Sequence, residues 1–299
     1  MRFILLLSSL CIILLSCREK KKKFELVNAF EFGESLGTVK DKKIKEASGL
    51  AVSRANPGMF WTLNDSGNDN EIFLIDEQTK IKLICKIKGI RNRDWEEIVV
   101  GPGPEDGKNY VYVADIGDNL GIYPLKYIYR FEEPTFTPGS KKIDITDYDT
   151  IKFRLPNQQK DTETLMVNPL TKDLYVVSKR EKPVYLYKLT YPFSLVDTIT
   201  AESLFSLPIT DITSGAISPS GKEVVMKNYE DIYYWQVTGG KNLEQALKEK
   251  PRLLPYRPEP QGEAITWAKD TTAFYTISES GKYDESKLFL FKRNYSPTP

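Results

Sequence analysis

Asp94-Trp-Glu-Glu-Ile98 is one copy of a phrase that occurs five times in this chain. The others are Glu46-Ala-Ser-Gly-Leu50, Asp161-Thr-Glu-Thr-Leu165, Thr213-Ser-Gly-Ala-Ile217 and Gln261-Gly-Glu-Ala-Ile265. Each opens on a polar residue and ends, at its fifth position, on Leu or Ile. Successive copies start 48, 67, 52 and 48 residues apart. A recurrence at about 40–50 residues marks an array built from one repeated supersecondary unit. In a radial array equivalent positions converge on one axis, which here gathers Glu46, Asp94, Glu96, Glu97, Asp161, Glu163 and Glu263. Carboxylates facing one channel repel each other unless a cation sits among them.

Outward from each phrase, the repeat divides into four short strands separated by turn residues. The first runs through 48–53, 59–64, 71–76 and 80–88, with Asn56-Pro-Gly and Asp65-Ser-Gly as turns. The second runs through 96–101, 110–115, 126–132 and 147–155, and long connections at 101–108 and 133–142 account for its extra length. The third takes 163–168, 173–178, 184–190 and 196–207; the fourth takes 215–219, 223–228, 231–237 and 251–256. Leu243, Ala246 and Leu247 share one face of a short helix over 242–248. The fifth repeat supplies only 263–268, 272–278 and 286–293, and Phe24–Glu34 is expected to complete it. An all-β, closed β-propeller of four-stranded blades follows, with five blades counted and a sixth possible between Asp94 and Asp161. Closure by strands from both termini removes exposed sheet edges.

The N-terminus reads as an address. Arg2 precedes the apolar stretch 3–15, and Leu14-Leu15-Ser16-Cys17 looks like a bacterial lipobox. The expected division is a lipoprotein signal peptide at 1–16, a basic tether at 17–23 after lipidated Cys17, and a single propeller at 24–299. An uncleaved N-terminal anchor is the alternative; the apolar run is too short for a spanning helix. The expected setting is the bacterial envelope, anchored by lipid and facing the periplasm, as a monomer. A net charge of +1 favours no nucleic-acid partner. Cys85, within Ile81-Lys-Leu-Ile-Cys-Lys-Ile, reads as a small buried hydrophobe, and no disulfide framework is available.

Histidine is absent from the sequence. No Ser-His-Asp or Cys-His mechanism can be assembled, and zinc or copper sites of the His or Cys kind are excluded. General acids and bases must come from Asp, Glu, Lys, Tyr or water, and a metal must accept oxygen ligands.

The loops expected at the same end as the phrases are polar: 64–70, 115–119, 178–182, 227–231 and 278–284. Turn chemistry alone explains much of that polarity, and neighbouring backbone N–H groups can satisfy inner acids without a metal. The abundant Tyr, Phe and Trp side chains are expected to fill the space between blades.

The phrases Glu-Ala-Ser-Gly-Leu, Asp-Trp-Glu-Glu-Ile and Gln-Gly-Glu-Ala-Ile resemble inner-strand phrases of secreted bacterial propellers. These are the esterase-like phytase group and, more distantly, the gluconolactonase and paraoxonase propellers. The resemblance implies calcium in the channel, with Glu46, Glu96, Glu163 and Glu263 as the matching acids and Asn64, Asp65, Asp115 and Asn119 as loop ligands. The chain departs from the pattern at Gly215, where an acid is expected, and in lacking His. A calcium-dependent hydrolase of phosphate or carboxylic esters would use Lys179, Arg180 or Lys227 to hold an anionic ligand. The alternative is a non-enzymatic scaffold propeller that binds a ligand or an envelope protein. A glycosidase with paired carboxylates is a third reading, for which no pair stands out.

Overall fold

Each phrase begins the innermost strand of a blade. In the computed structural model, which describes residues 24–279 and 285–294, these strands are Ala47–Val52, Trp95–Pro102, Thr162–Val167, Ser214–Ile217 and Gly262–Trp267. Each inner strand lies beside the next, and the fifth returns to the first, so the ring is closed. The structure is a five-bladed β-propeller. Cys17 and the rest of residues 1–23 lie outside the described residues.

Three antiparallel strands extend outward from each inner strand. In blade one they are Met59–Asn64, Glu71–Asp76 and Ile81–Ile87; in blade two, Asn109–Asp115, Lys126–Glu132 and Asp149–Arg154. Blade three has Leu174–Ser178, Val184–Leu189 and Glu202–Leu207, and blade four has Glu223–Lys227, Ile232–Gln236 and Arg252–Leu254. Blade five adds Ala273–Ser278 and Lys287–Lys292, and its outermost strand is Glu34–Thr38. The short helix Leu243–Leu247 buries Leu243, Ala246 and Leu247 and is closed by a capping box between Asn242 and Gln245.

The long spacing between the second and third phrases hides no extra blade. Instead Lys142–Ile145 pairs parallel with Ile81–Ile87 on the edge of blade one. In the same way Ile199–Thr200 pairs parallel with Asp149–Arg154 on the edge of blade two. Each connection thus covers the edge of the blade before it.

The closing strand is also displaced from the expected Phe24–Glu34. Among the described residues, those before Glu34 pair only through isolated bridges, Leu26 with Leu253 and Phe30 with Arg293. The reason is Phe30, which is fully buried and packs edge-on against Tyr234, Trp267 and Phe274. Ring packing pins this segment across the outer edges of blades four and five, where the Val27 N–H donates to the Leu253 carbonyl at 2.9 Å and the Glu31 N–H to the Lys292 carbonyl at 2.8 Å.

Five apolar clusters fill the gaps between neighbouring blades. Alternate residues of one strand serve opposite gaps: Tyr112 enters the core shared with blade three, whereas Val111 and Val113 enter that shared with blade one. Strands covered on both faces read as nearly continuous apolar runs. Trp61, Trp95, Trp235 and Trp267 all lie in these inter-blade cores, and Cys85 is a buried free thiol.

Candidate metal centre at the channel mouth

A β-bulge aims the acids inward. In blade two the pairing steps from Trp95–Asp115 to Glu97–Ala114, leaving Glu96 as the extra residue. The same irregularity leaves out Glu163 in blade three, Glu263 in blade five and Ser48 in blade one. A bulge re-aims the side chain it frees. Blade four pairs Ser214 and Gly215 without a break. The third position of the phrase therefore presents Ser48, Glu96, Glu163, Gly215 and Glu263 in turn.

Glu46 belongs to a different set. It occupies the first position of its phrase, is exposed at the rim, and accepts a hydrogen bond from Asn68 Nδ2 at 2.7 Å. The first-position acids of the next two blades, Asp94 and Asp161, are buried and approach the inner ring.

Two triads of carboxylates lie close enough to share an ion. Oxygens of Asp65, Asp94 and Glu96 fall within 4.8 Å of one another, and so do those of Glu96, Asp161 and Glu163. Glu96 is common to both. It is 3% exposed, and among the described residues no donor reaches its carboxylate. Burial, then the charges of Glu163, Asp65 and Asp94, push its pKa well above the ordinary value. Burial likewise lifts Asp94 to about 6, with Asp65, Asp161 and Asp115 adding to the shift. A cation at this point would reverse both effects.

Gly117 makes the close approach possible. A Cβ there would overlap Glu96 Oε1 and lie 2.5 Å from Asp94 Oδ2, so the backbone of this loop forms one wall of the acid cluster. Nearby, Asp161 is held from both sides: the Asp118 N–H donates to Oδ1 at 2.9 Å and Arg180 Nε to Oδ2 at 2.7 Å. The buried Lys126 donates to the Ile116 carbonyl, and Thr162 Oγ1 donates to the same oxygen at 2.6 Å.

In three blades the residue following the second strand also faces the mouth. In blade one it is Asp65, in blade three Lys179 and in blade five Glu279. Lys179 Nζ lies 2.7 Å from Glu163 Oε1, 3.9 Å from Glu263 Oε1 and 3.3 Å from the Tyr229 hydroxyl. Burial disfavours its charge, but Glu163 and Glu263 prevail and raise its pKa. Tyr229 donates to Glu263. Glu279 is pushed upward by burial and by the adjacent Glu263.

Other sequence candidates are engaged elsewhere. The Asn64 amide caps the entering chain, accepting from the N–H groups of Lys45 and Glu46 and donating to the Lys43 carbonyl. Asp115 is engaged by Arg93 Nε at 3.1 Å and by the Asp94 N–H at 3.3 Å. Asn119 accepts from Arg180. Lys227 does not reach the mouth: it is fully buried, donates to the Gly262 carbonyl and lies over the Tyr256 ring. Lys179 and Arg180 do point to the mouth, each already paired with an inner acid.

Glu97 closes the channel beneath the triads. Its carboxylate accepts from Ser214 Oγ and from the N–H groups of Ile98, Leu50 and Gly215. Below it lies a space of about 50 Å³ lined largely by inner-strand aliphatics, among them Leu50, Val52, Ile98, Val100 and Ile265. The carboxylate triads are therefore confined to one end of the channel.

No family model and no curated relative matches the chain. Among solved structures, a gluconolactonase from Xanthomonas campestris aligns over 83% of this chain and 72% of its own. The TM-score is 0.45 and the identity 12%, a likeness too distant to bear on function. The propeller assignment rests on strand order and ring closure.

Proposed function

We propose that this protein binds a divalent cation, calcium by preference, at the mouth of its central channel, held by Asp65, Asp94 and Glu96. The observation that carries this reading is Glu96: a buried carboxylate without a donor, set among other carboxylates. Buried charges are ordinarily paired or bound to metal. The donor set is all oxygen, which suits a hard cation. Gly117 keeps the space open, and the Glu97 plug keeps an ion at the mouth from passing down the channel.

A hydrolytic role on phosphate or carboxylic esters extends this reading. Bound calcium would polarise a substrate oxygen. Arg180, whose side chain is 54% exposed, is placed to turn from Asp161 toward an anionic group at the rim. Lipid anchoring through Cys17 in the bacterial envelope completes the proposal, and the lipobox-like sequence supports it.

Equilibrium dialysis against calcium, followed by elemental analysis, tests the metal reading. Wild-type protein should retain the ion, and Glu96→Gln should lower affinity at least tenfold. Protein that retains no divalent ion at millimolar calcium rules it out. A panel of phosphate esters, carboxylic esters and lactones tests catalysis separately, since turnover should vanish with chelator and return with calcium.

A further inference from the structure

We propose that Lys179 is a built-in cation that occupies one half of the acid cluster and restricts the channel mouth to a single divalent ion. This rests on the metal reading above and specifies which half takes the ion. The two triads that share Glu96 are unlike in charge balance. For Asp65, Asp94 and Glu96, the protein supplies the Ser66 N–H to Asp65, and among the described residues no ammonium or guanidinium lies within 4.0 Å of any of the three. The other triad is already countered. Lys179 Nζ is 2.7 Å from Glu163, and Arg180 Nε is 2.7 Å from Asp161.

The position of Lys179 follows from the break in the repeat. Gly215 leaves blade four without an acid, and pairs with Met226 in an unbulged strand. Lys179 bridges that blade, from Glu163 on blade three toward Glu263 on blade five. The Tyr229 hydroxyl of blade four accepts from Lys179 and donates to Glu263. The lysine side chain is only 14% exposed. An ammonium paired with Glu163 opposes a divalent ion most strongly there, whereas Lys179 and the buried Lys126 act on Asp65, Asp94 and Glu96 only from beyond ion-pair distance, so that triad is the more attractive site. The ring thus replaces a missing acid with a cation that neutralises its neighbours on both sides.

Counting calcium ions per chain by elemental analysis, with titration calorimetry for affinity, tests the assignment. Wild type should bind one ion, Lys179→Met two and Lys179→Arg one. Asp94→Asn should weaken the wild-type ion at least tenfold, whereas Glu163→Gln should change it less than threefold. Two ions in wild type, or one in a folded Lys179→Met protein, would overturn the proposal. If Lys179→Met does not fold, the contrast between Asp94→Asn and Glu163→Gln decides, and its reversal overturns the proposal. No ion in wild type would instead remove the metal reading on which this stands.

Discussion

Glu97 of blade two reaches across the axis to Ser214 of blade four, and the same carboxylate takes N–H groups from blades one and four. Inner strands from three blades are thereby joined through one buried side chain, 1% exposed. Removing it would leave several buried donors without their charged acceptor. Glu97→Ala should therefore cost about 3–5 kcal/mol, and Glu97→Gln about 1–3 kcal/mol, because its amide nitrogen faces donors. Urea unfolding of both variants measures this, and losses below 1 kcal/mol for the alanine variant would contradict the role.

Gly117 gives a prediction about binding rather than stability. An added methyl would overlap Glu96 and press on Asp94. Gly117→Ala should therefore weaken the divalent ion by about 10–100-fold, the range typical of disturbed ligand support. Calorimetric titration with calcium is the measurement; an affinity equal to wild type would place the ion elsewhere.

Much of this was legible in the chain, and the failures have physical causes. The five phrases reveal inner strands because each strand must begin with the same turn from polar rim to apolar gap. They also bring Glu96, Glu163 and Glu263 to the axis. The bulge that aims them depends on pairing with a partner strand, so no local residue announces it. Glu46 stands at the first position of its phrase rather than the third, a difference that matters only once the bulge turns the third-position side chain inward. Asp115 and Lys227 end their second strands at comparable points, yet their partners, Arg93 and the Gly262 carbonyl, come from other segments. Lys142–Ile145 reads as a linker since its lysine and aspartate suit an exposed edge, and nothing nearby signals parallel pairing with another blade. Gly117 carries no motif; only the fold shows what its missing side chain permits.

Asp94 ties pH to stability in a testable direction. Its folded pKa of about 6 lies above the ordinary 3.8, with burial the leading cause. Without metal, the folded state holds this proton more tightly than the unfolded chain does. The associated stability is fully present below about pH 4 and is lost as pH rises through about 6. Asp94→Asn, which carries no charge, should gain on wild type across that window in EDTA, by about 1–3 kcal/mol at pH 7. Saturating calcium should reverse the order, because wild type then keeps its deprotonated ligand. Denaturation series at several pH values, with and without calcium, check both signs. A difference that does not change with pH would show that Asp94 titrates normally.

Glu133 offers a control at the opposite end of the propeller. Its carboxylate accepts from Ser53 Oγ at 2.6 Å, Trp61 Nε1 at 2.9 Å, the Arg54 N–H at 3.0 Å and the Ala55 N–H at 3.1 Å. The donors belong to blade one, whereas Glu133 follows the third strand of blade two, so one buried anion fastens the two blades together. Glu133→Ala leaves the indole, the hydroxyl and two backbone N–H groups without their acceptor, and should cost about 3–5 kcal/mol. Ser53 lies just past the far end of its inner strand, away from Asp65 and Glu96, so calcium affinity of the folded variant should stay within threefold of wild type. Unfolding and calorimetry on the same sample separate the two effects. Loss of calcium binding in a still-folded Glu133→Ala protein would mean that the mouth depends on how blades one and two are joined, and that the acid cluster is not shaped locally by the bulges.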